Sequence, residues 1–318
     1  MRSTNRHVAL ALVALLAAAC GPAASTANPT GTAVAPTTAP TTAATVAPTQ
    51  DACATGNLTL ATAGKLTVGT DNPAYPPYYS PRKGGNSAPW EDLGFTGDPT
   101  TGEGFESAMT YAIATQLGLT KDKVAWVVVP FANSYAPGAK TFDFDINQIS
   151  YTVERAKAVD MSDGYYSVNQ AVVALKNNPV AGAKTLADLA KYKFGAQLGT
   201  TSYQTILSVV KPTAETRVYD TNDLAIEALK AKQIDAIVVD LPTADFITNV
   251  QIENGAAVTV GQLKGAAGTD EHFSLVLAKG SALTTCVNQA IAALKTAGAL
   301  KQLASTWLPF QDAIPVLQ

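Results

Sequence analysis

Short apolar runs recur along the chain, and most of them end at glycine, threonine or aspartate. Runs such as VAWVVV at 124–129 and IDAIVV at 234–239 have the length and the β-branched content of buried strands. The pattern predicts strands at 65–69, 124–129, 142–149, 194–198, 234–239 and 273–278.

Between these runs, apolar residues return at the spacing of helices. Residues 105–117 repeat in this way, and Gly118 supplies a stop. Residues 185–188 (TLAD) have the composition of a helix start, and 283–308 predict two helices that break near Gly298. Strands that alternate with helices predict an α/β fold with mostly parallel sheets.

A strand followed by Gly-Thr occurs at 68–70 and again at 198–200. This repetition favours two similar α/β lobes over a single sheet. Ligands of open α/β sheets bind beyond the carboxyl ends of the strands. Polar residues stand at these ends at 70–71, 147–150, 199–202 and Asp240, so a binding cleft is expected there.

The first 20 residues are predicted to be a lipoprotein signal peptide. An apolar run of 12 residues at 8–19 follows a basic start, which suits a signal core and is shorter than the roughly 20 residues of a membrane span. Small residues precede Cys20, as in a bacterial lipobox, although Ala17 stands where leucine is usual. We expect Cys20 to carry a lipid; the alternative is an ordinary secretory signal with a chance cysteine.

Residues 21–52 are predicted to form a disordered Thr/Ala/Pro tether. No charged residue occurs in 21–50, and such a composition cannot bury enough apolar surface to fold. A tether of this length would reach on the order of 30 Å and hold a domain away from a membrane. A spacer with no further role is the alternative.

Charge and composition exclude several classes of function. Without Arg2 and Arg6, 20 basic residues face 25 acidic ones, a balance near −5 that is not typical of nucleic-acid binding. His272 is the one histidine after the leader, so a metal site with several His or Cys ligands cannot be built. A Ser-His-Asp triad would have to use this single histidine. No phosphate-binding glycine motif occurs. We therefore expect no metal, cofactor or nucleic acid.

Two cysteines, Cys53 and Cys286, remain in the exported part of the chain. An oxidising compartment favours a disulfide between them, which would tie the start of the domain to its last helices. Two separate buried thiols are the alternative.

Three features at the strand ends suggest recognition of charged groups. Residues 199–202 (GTTS) could bind an anion at a helix start, although simple N-capping is the better explanation of this motif taken alone. Arg155 suits a carboxylate if it faces the cleft, whereas a surface arginine would be solvated or paired with Glu154 or Asp160. Asp240 could hold a cation or merely cap the next helix. Together, they match the two ends of a free α-amino acid.

Several motifs together resemble the extracellular solute-binding proteins of polar amino acid importers driven by ATP, known as solute-binding family 3. The resemblance spans roughly 62–310. The matching motifs are Gly69-Thr70-Asp71, Tyr75-Pro76-Pro77, Gly104-Phe105-Glu106, SYTVER at 150–155, VDMSD at 159–163, Gly199-Thr200-Thr201, and Ile234-Asp235-Ala236 leading to Asp240.

This resemblance implies a periplasmic-binding-protein-like fold and a role for each matching residue. Arg155 would bind the ligand carboxylate with help from Ser150 and Thr201, and Asp240 would bind the α-ammonium. Tyr75 and Phe131 would pack on the ligand side chain, and Asp71 would reach its far end. The expected ligand-binding set is Asp71, Tyr75, Phe131, Asn147, Gln148, Ser150, Arg155, Thr200, Thr201 and Asp240.

Two departures from the family pattern concern the cleft. Asn147 and Gln148 stand where small residues are usual, so their amides either enter the pocket or point into the lobe. The insertion at 82–103 is longer than usual, and its Trp90, Glu91 and Asp92 are candidates for the mouth of the cleft.

The implied organisation places lobe 1 at 53–168 and 261–318 and lobe 2 at 169–260, with crossovers at 167–172 and 258–262. The implied protein is a monomer, anchored by lipid outside the cell membrane, that delivers an amino acid to a membrane permease. The alternatives are a prephenate or arogenate dehydratase on the same fold and a ligand-sensing subunit of a signalling system.

Overall fold

The computed structural model describes residues 50–264, 270–308 and 314–318. The predicted signal peptide, Cys20 and the tether as far as residue 49 lie outside the described residues. Within the described ranges, no helix is both long enough and apolar enough to span a bilayer.

Twelve strands form two five-stranded sheets and one two-stranded ribbon in the described part of the chain. The strands are β1 Leu66–Thr70, β2 Val124–Val128, β3 Phe144–Asp145, β4 Asp160–Met161, β5 Tyr166–Ser167, β6 Gln170–Leu175, β7 Phe194–Gln197, β8 Arg217–Tyr219, β9 Ala236–Asp240, β10 Ala257–Leu263, β11 His272–Phe273 and β12 Val276–Leu277.

The first sheet has the order β2-β1-β3-β12-β4 and the second the order β10-β6-β9-β7-β8. The ribbon pairs β5 with β11. Along the chain, β5 lies between β4 of the first sheet and β6 of the second, and β11 lies between β10 of the second sheet and β12 of the first. The first sheet packs on an apolar core around Phe105 and Phe144, and the second sheet packs on two apolar clusters, one around Ile237 and one around Phe194. We call the two sheets with their helices the first and the second lobe.

Nine α-helices cover the two sheets in the described ranges. They are α1 Phe105–Gln116, α2 Phe131–Ser134, α3 Val153–Ala158, α4 Leu186–Leu189, α5 Thr201–Thr205, α6 Asn222–Lys230, α7 Leu241–Phe246, α8 Leu283–Thr296 and α9 Ala299–Trp307.

Local sequence explains several helix ends. Thr185 and Asp188 form the reciprocal capping box that the sequence predicted, with each side chain satisfying a backbone N–H of the other residue. Thr152 caps α3 by accepting from the Arg155 backbone N–H. Gly298, with a φ of 73°, separates α8 from α9 where a break was expected.

The sheets are mixed rather than mostly parallel, which corrects the expectation from the sequence. β1 runs parallel to β2 and β3, but β12 is antiparallel to both of its neighbours. In the second sheet, β7 is parallel to β8 and β9, whereas β6 is antiparallel to β9 and β10. Only residues 168–169 separate β5 from β6, so β6 is not preceded by the crossover helix that parallel strands need.

Burial at 142–149 agrees with the sequence, but the strand is shorter than expected. Phe142, Phe144, Ile146 and Ile149 are all buried. Only Phe144–Asp145 belong to a sheet, because the chain then turns toward the cleft. An apolar pattern indicates which residues are buried. A strand also needs a neighbouring strand that forms hydrogen bonds with it along its length.

The crossings between lobes only partly follow the expected segments. The outward crossing lies between β5 and β6, within the expected 167–172. The return crossing falls after Leu263, later than the expected 258–262, because β10 pairs with β6 through that residue. The end of the chain also returns to the second lobe, where Gln262 N donates to Pro315 O and Leu317 N donates to Gln262 O.

A disulfide joins Cys53 to Cys286, as expected, with 5.3 Å between the two Cα atoms. It ties a short 3-10 turn, Gln50–Cys53, to α8. A bond between residues 233 positions apart restricts the unfolded chain strongly.

Reduction of this disulfide should therefore lower the free energy of unfolding by about 2–4 kcal/mol. The measurement is the midpoint of chemical denaturation with and without a reductant, for the chain from Gly21 onward. A Cys53→Ser, Cys286→Ser variant should show the lower midpoint under both conditions. Equal midpoints for the oxidised and the reduced wild type would contradict the prediction.

Candidate functional site between the two lobes

A cavity of about 160 Å³ lies between the lobes, at the carboxyl ends of strands from both sheets. A cavity of this volume suits a molecule the size of an amino acid rather than a drug-sized ligand. The structure brings nine of the ten predicted ligand residues to its wall: Asp71, Tyr75, Phe131, Asn147, Gln148, Arg155, Thr200, Thr201 and Asp240.

Ser150 is the exception, and its expected role as a direct partner of a ligand carboxylate stays a prediction. It does not line the cavity. Its hydroxyl donates to Glu271 Oε1 at 2.7 Å, and it accepts from Thr201 Oγ1 at 3.3 Å. Because a hydroxyl has a single proton, Ser150 Oγ cannot also donate to a ligand in this arrangement.

Arg155 is buried, with 7% of its surface exposed. Its Nη1 donates to Ser150 O at 2.6 Å and its Nη2 to Gly199 O at 2.8 Å, which leaves other N–H groups of the guanidinium for a ligand. The guanidinium also lies over the rings of Tyr135 and Phe131, at 4.5 and 5.6 Å from their centroids. No carboxylate of the described residues lies within ion-pairing distance of it.

Gly199 is the residue at which the second lobe meets Arg155. Its φ is 75°, and a Cβ there would lie 2.6 Å from the Tyr135 hydroxyl oxygen. Both the backbone conformation and the close approach therefore require glycine. The Gly-Thr-Thr turn thus presents a carbonyl to the guanidinium.

The hydroxyls of Thr200 and Thr201, the two threonines of this turn, make different hydrogen bonds. Thr200 Oγ1 accepts from Tyr203 N at 3.2 Å and donates to Gln197 O at 2.7 Å. Its hydroxyl therefore caps α5, which is the simpler of the two interpretations of this motif. The Thr201 hydroxyl reaches across the cleft to Ser150.

Asp240 ends β9 and lines the cavity on the second lobe. Gln170 Nε2 donates to its Oδ1 at 2.6 Å. Burial, followed by the charge of Glu271, raises the pKa of Asp240 well above its usual range, although Gln170 and Arg155 act in the opposite direction. A cationic ligand group beside Asp240 would favour its ionised form.

Asn147 and Gln148 resolve the two possibilities left open by the sequence. Gln148 has a φ of 50°, and both its backbone N–H and its side-chain amide donate to the buried Glu106. Its amide therefore points into the first lobe. Asn147 is buried and lines the cavity, and its Nδ2 has no hydrogen-bond partner among the described residues. A ligand acceptor could satisfy that amide.

Two further carboxylates, those of Asp71 and Asp223, line the cavity. Asp71 accepts from the backbone N–H groups of Asn72 and Phe131, and burial raises its pKa. Asp223, on the second lobe, accepts from the Tyr75 hydroxyl at 2.5 Å and from Gln251 Nε2 at 3.0 Å. Each lobe therefore contributes one further carboxylate to the wall of the cavity.

Aromatic rings close the cleft on the side of the insertion. Phe95, within the insertion at 82–103, lies 6.4 Å from the Tyr75 ring and 6.3 Å from the Phe246 ring of the second lobe. Trp90, Glu91 and Asp92, the candidates from the sequence, do not line the cavity. The insertion thus reaches the opposite lobe through Phe95.

The sequence did not indicate Asp223, Glu271, Gln170, Tyr135 or Phe95. Each lies on a loop or at an element end, and its role comes from contacts across the cleft. An acidic residue at the start of α6 would ordinarily be read as favouring the helix dipole, so nothing in the sequence distinguished Asp223. No cluster of potential metal ligands occurs among the described residues.

Residues 66–310 match the bacterial extracellular solute-binding proteins, family 3. The chain belongs to this family. The match covers the first and second lobes, including every residue that lines the cavity.

Two curated relatives of the chain are amino acid-binding proteins. A probable histidine-binding protein of Campylobacter jejuni is 34% identical over 145 residues, which cover 44% of this chain and 53% of the relative. The ABC transporter glutamine-binding protein GlnH of Bacillus subtilis is 27% identical over 216 residues, or 66% and 75% of the two chains. The chain spans about half the length of the first relative.

Among solved structures, the ancestral amino acid-binding protein AncCDT-1 has a similar fold. It is described as a precursor of cyclohexadienyl dehydratase. The TM-score is 0.59 and the identity 28%, over 77% of this chain and 95% of that one.

The Phe95 contact generates a prediction that does not depend on the ligand. Phe95→Ala should favour a more open arrangement of the lobes, because it removes the ring that packs on both Tyr75 and Phe246. Small-angle X-ray scattering of the ligand-free protein should show a larger radius of gyration. Leu93→Ala is the matched control, since Leu93 belongs to the same insertion and is 52% exposed. Equal radii for both variants and the wild type would contradict the prediction.

Proposed function

We propose that this protein is an extracytoplasmic receptor that captures a free amino acid between its lobes and delivers it to an ATP-binding-cassette importer. The observation that carries the proposal is the buried guanidinium of Arg155 in the cavity wall, without a carboxylate partner among the described residues. The carboxylate of Asp240 lines the same cavity. A zwitterionic amino acid supplies the counter-charge for both groups.

The side chain of the amino acid extends toward Asp71 and Asp223. Their carboxylates accept hydrogen bonds, so this end of the cavity favours a side chain with N–H donors. Histidine, glutamine, arginine and lysine satisfy this condition, and histidine and glutamine appear in the names of the two relatives described above. Aspartate and glutamate would meet like charges there.

Binding is coupled to closure of the lobes. Arg155 belongs to the first lobe and Asp240 to the second, so a ligand that contacts both residues stabilises the closed arrangement. Closure also removes water from these ion pairs and strengthens them. The closed form is what the importer would recognise.

The cellular setting follows from the N-terminal segment. We propose that Cys20 carries a lipid, that the segment 21–52 is the tether, and that the protein acts as a monomer beside a membrane permease. Recognition by a signalling partner is the alternative. Loss of amino acid uptake after deletion of the gene would favour the importer.

A screen of the twenty common L-amino acids tests the proposal. A ligand that binds only the native protein stabilises it by about 2.7 kcal/mol at 100 times its Kd, so it should raise the Tm. We expect the largest rise among histidine, glutamine, arginine and lysine and none for aspartate or glutamate. No rise with any amino acid would overturn the proposal.

Arg155→Ala should weaken amino acid binding at least about 100-fold, because it removes a buried charge that pairs with the ligand carboxylate. Calorimetry with the best amino acid from the screen measures the change. Arg217→Ala is the matched control, because Arg217 is exposed on the edge strand β8. Circular dichroism establishes that both variants fold. An unchanged affinity in folded Arg155→Ala would show that the site is wrongly assigned.

The raised pKa of Asp240 predicts that binding depends on pH. In the free protein, Asp240 retains a proton at pH values above its usual range, whereas the bound ammonium requires the ionised form. Binding therefore releases a proton, and affinity should rise with pH until the raised pKa is passed. Calorimetry in buffers of different ionisation enthalpy measures that proton.

In Asp240→Asn, binding should be weaker and this component of the pH dependence absent. A wild-type affinity that is constant between pH 5 and pH 8 would contradict the prediction.

We also propose that the protein is a receptor rather than an enzyme. Asp240 and Asp71 are candidate acids for a dehydratase, and the likeness to AncCDT-1 gives that alternative a specific form. Incubation of the purified protein with prephenate or arogenate, followed by analysis of the products, distinguishes the two. Turnover would favour the enzyme.

A further inference from the structure

Glu271 lies just before β11, where the chain has returned from the second lobe to the first. Its Oε1 accepts from Ser150 Oγ at 2.7 Å and from Gln170 Nε2 at 3.0 Å. Ser150 belongs to the first lobe, whereas Gln170 opens β6 of the second sheet. A single carboxylate oxygen therefore receives one hydrogen bond from each lobe.

On the second lobe, this contact continues to Asp240. Gln170 is fully buried, and its Nε2 also donates to Asp240 Oδ1 at 2.6 Å. Its Oε1 accepts from Ser202 Oγ at 2.6 Å. An amide nitrogen has two hydrogens, and here one goes to Glu271 and the other to Asp240. The orientation of Gln170, and with it the position of the Asp240 carboxylate, depends on Glu271.

On the first lobe, the contact continues to Arg155. Ser150 accepts from Arg155 Nη1 through its backbone carbonyl, at 2.6 Å, while its hydroxyl is held by Glu271. Hydrogen bonds through one intermediate residue therefore connect Glu271 to each of the two charged groups proposed to bind an amino acid. The intermediate is Ser150 for Arg155 and Gln170 for Asp240. It does not line the cavity itself.

We propose that Glu271 is a positioning residue of the amino acid site. By holding Ser150 and Gln170 on one oxygen, it sets the spacing between Arg155 and Asp240 when the lobes close. This inference rests on the proposed function, because that spacing matters only for a ligand with a carboxylate and an ammonium.

The charge of Glu271 also acts on the ammonium end of the site. It raises the pKa of Asp240, second only to burial. Arg155 and Gln170 oppose this effect, Glu106 adds to it, and the buried Tyr78 hydroxyl also interacts with Asp240. Removing the charge of Glu271 alone should therefore shift the pH range over which Asp240 ionises, to lower pH.

Two substitutions separate the hydrogen bonds from the charge. Glu271→Ala removes both. Glu271→Gln keeps an oxygen that can accept from Ser150 and Gln170 but removes the charge. Asp270→Asn is the matched control, since it removes a charge from the exposed neighbouring residue.

The first readout is the shape of the ligand-free chain from Gly21 onward, by small-angle X-ray scattering. Glu271→Ala should increase the radius of gyration, whereas Glu271→Gln and Asp270→Asn should not. Because no ligand is present, this readout still decides the contact between the lobes if L-arginine fails to bind. An unchanged radius for folded Glu271→Ala would overturn the inference.

The second readout is the Kd for L-arginine between pH 5 and pH 9, by calorimetry. Glu271→Ala should weaken binding about tenfold or more, since two hydrogen bonds are lost. Glu271→Gln should shift the pH dependence of the Kd to lower pH, which a residue of purely structural importance would not do. Equal pH profiles for Glu271→Gln, Asp270→Asn and the wild type would overturn the role at the site. A wild type that does not bind L-arginine counts against the ligand class of the proposed function instead.

Discussion

The buried guanidinium of Arg155 is the constraint on which the arrangement of the cleft depends. A charge in this environment loses its hydration, and an unpaired one is costly. Two backbone carbonyls and two aromatic faces compensate for part of that loss, and the charges of Asp240 and Glu271 act on the guanidinium from further away. No carboxylate of the described residues lies within ion-pairing distance of it. In the function proposed above, the carboxylate of an amino acid that enters the cleft would supply the direct partner.

The position of Arg155 couples this electrostatic need to the two-lobe fold. The residue belongs to α3 of the first lobe, yet one of its carbonyl partners is Gly199 of the second. Opening the lobes would break that hydrogen bond and expose the guanidinium to water, which would make a counter-ion less necessary. A bound carboxylate and a closed cleft therefore stabilise each other, as expected for a shift between two populated states.

The sequence predicted the site residues whose position depends on the order of strands and helices. It did not predict the roles of residues that depend on contacts between the lobes. Asp71 follows β1, Asp240 ends β9, and Thr201 begins the helix that comes after β7, so the alternation of elements was enough to bring them to one edge. Ser150 stands in the same kind of position but is held by Glu271, 121 residues away. No local pattern indicates which of several possible partners a hydroxyl will choose, because that choice depends on the packing of the lobes.

Asn147 and Gln148 show how neighbouring residues of similar chemistry take opposite roles. The positive φ of Gln148 turns its amide toward Glu106, whose oxygens accept from Gln148 and from the Tyr165 hydroxyl. Asn147, one residue earlier, faces the cavity, and its Nδ2 has no partner within the described ranges. An unpaired buried amide costs free energy unless a ligand satisfies it. In the proposed function, a ligand acceptor such as the α-carboxylate would satisfy the Asn147 amide, which would couple this departure from the family pattern to amino acid binding.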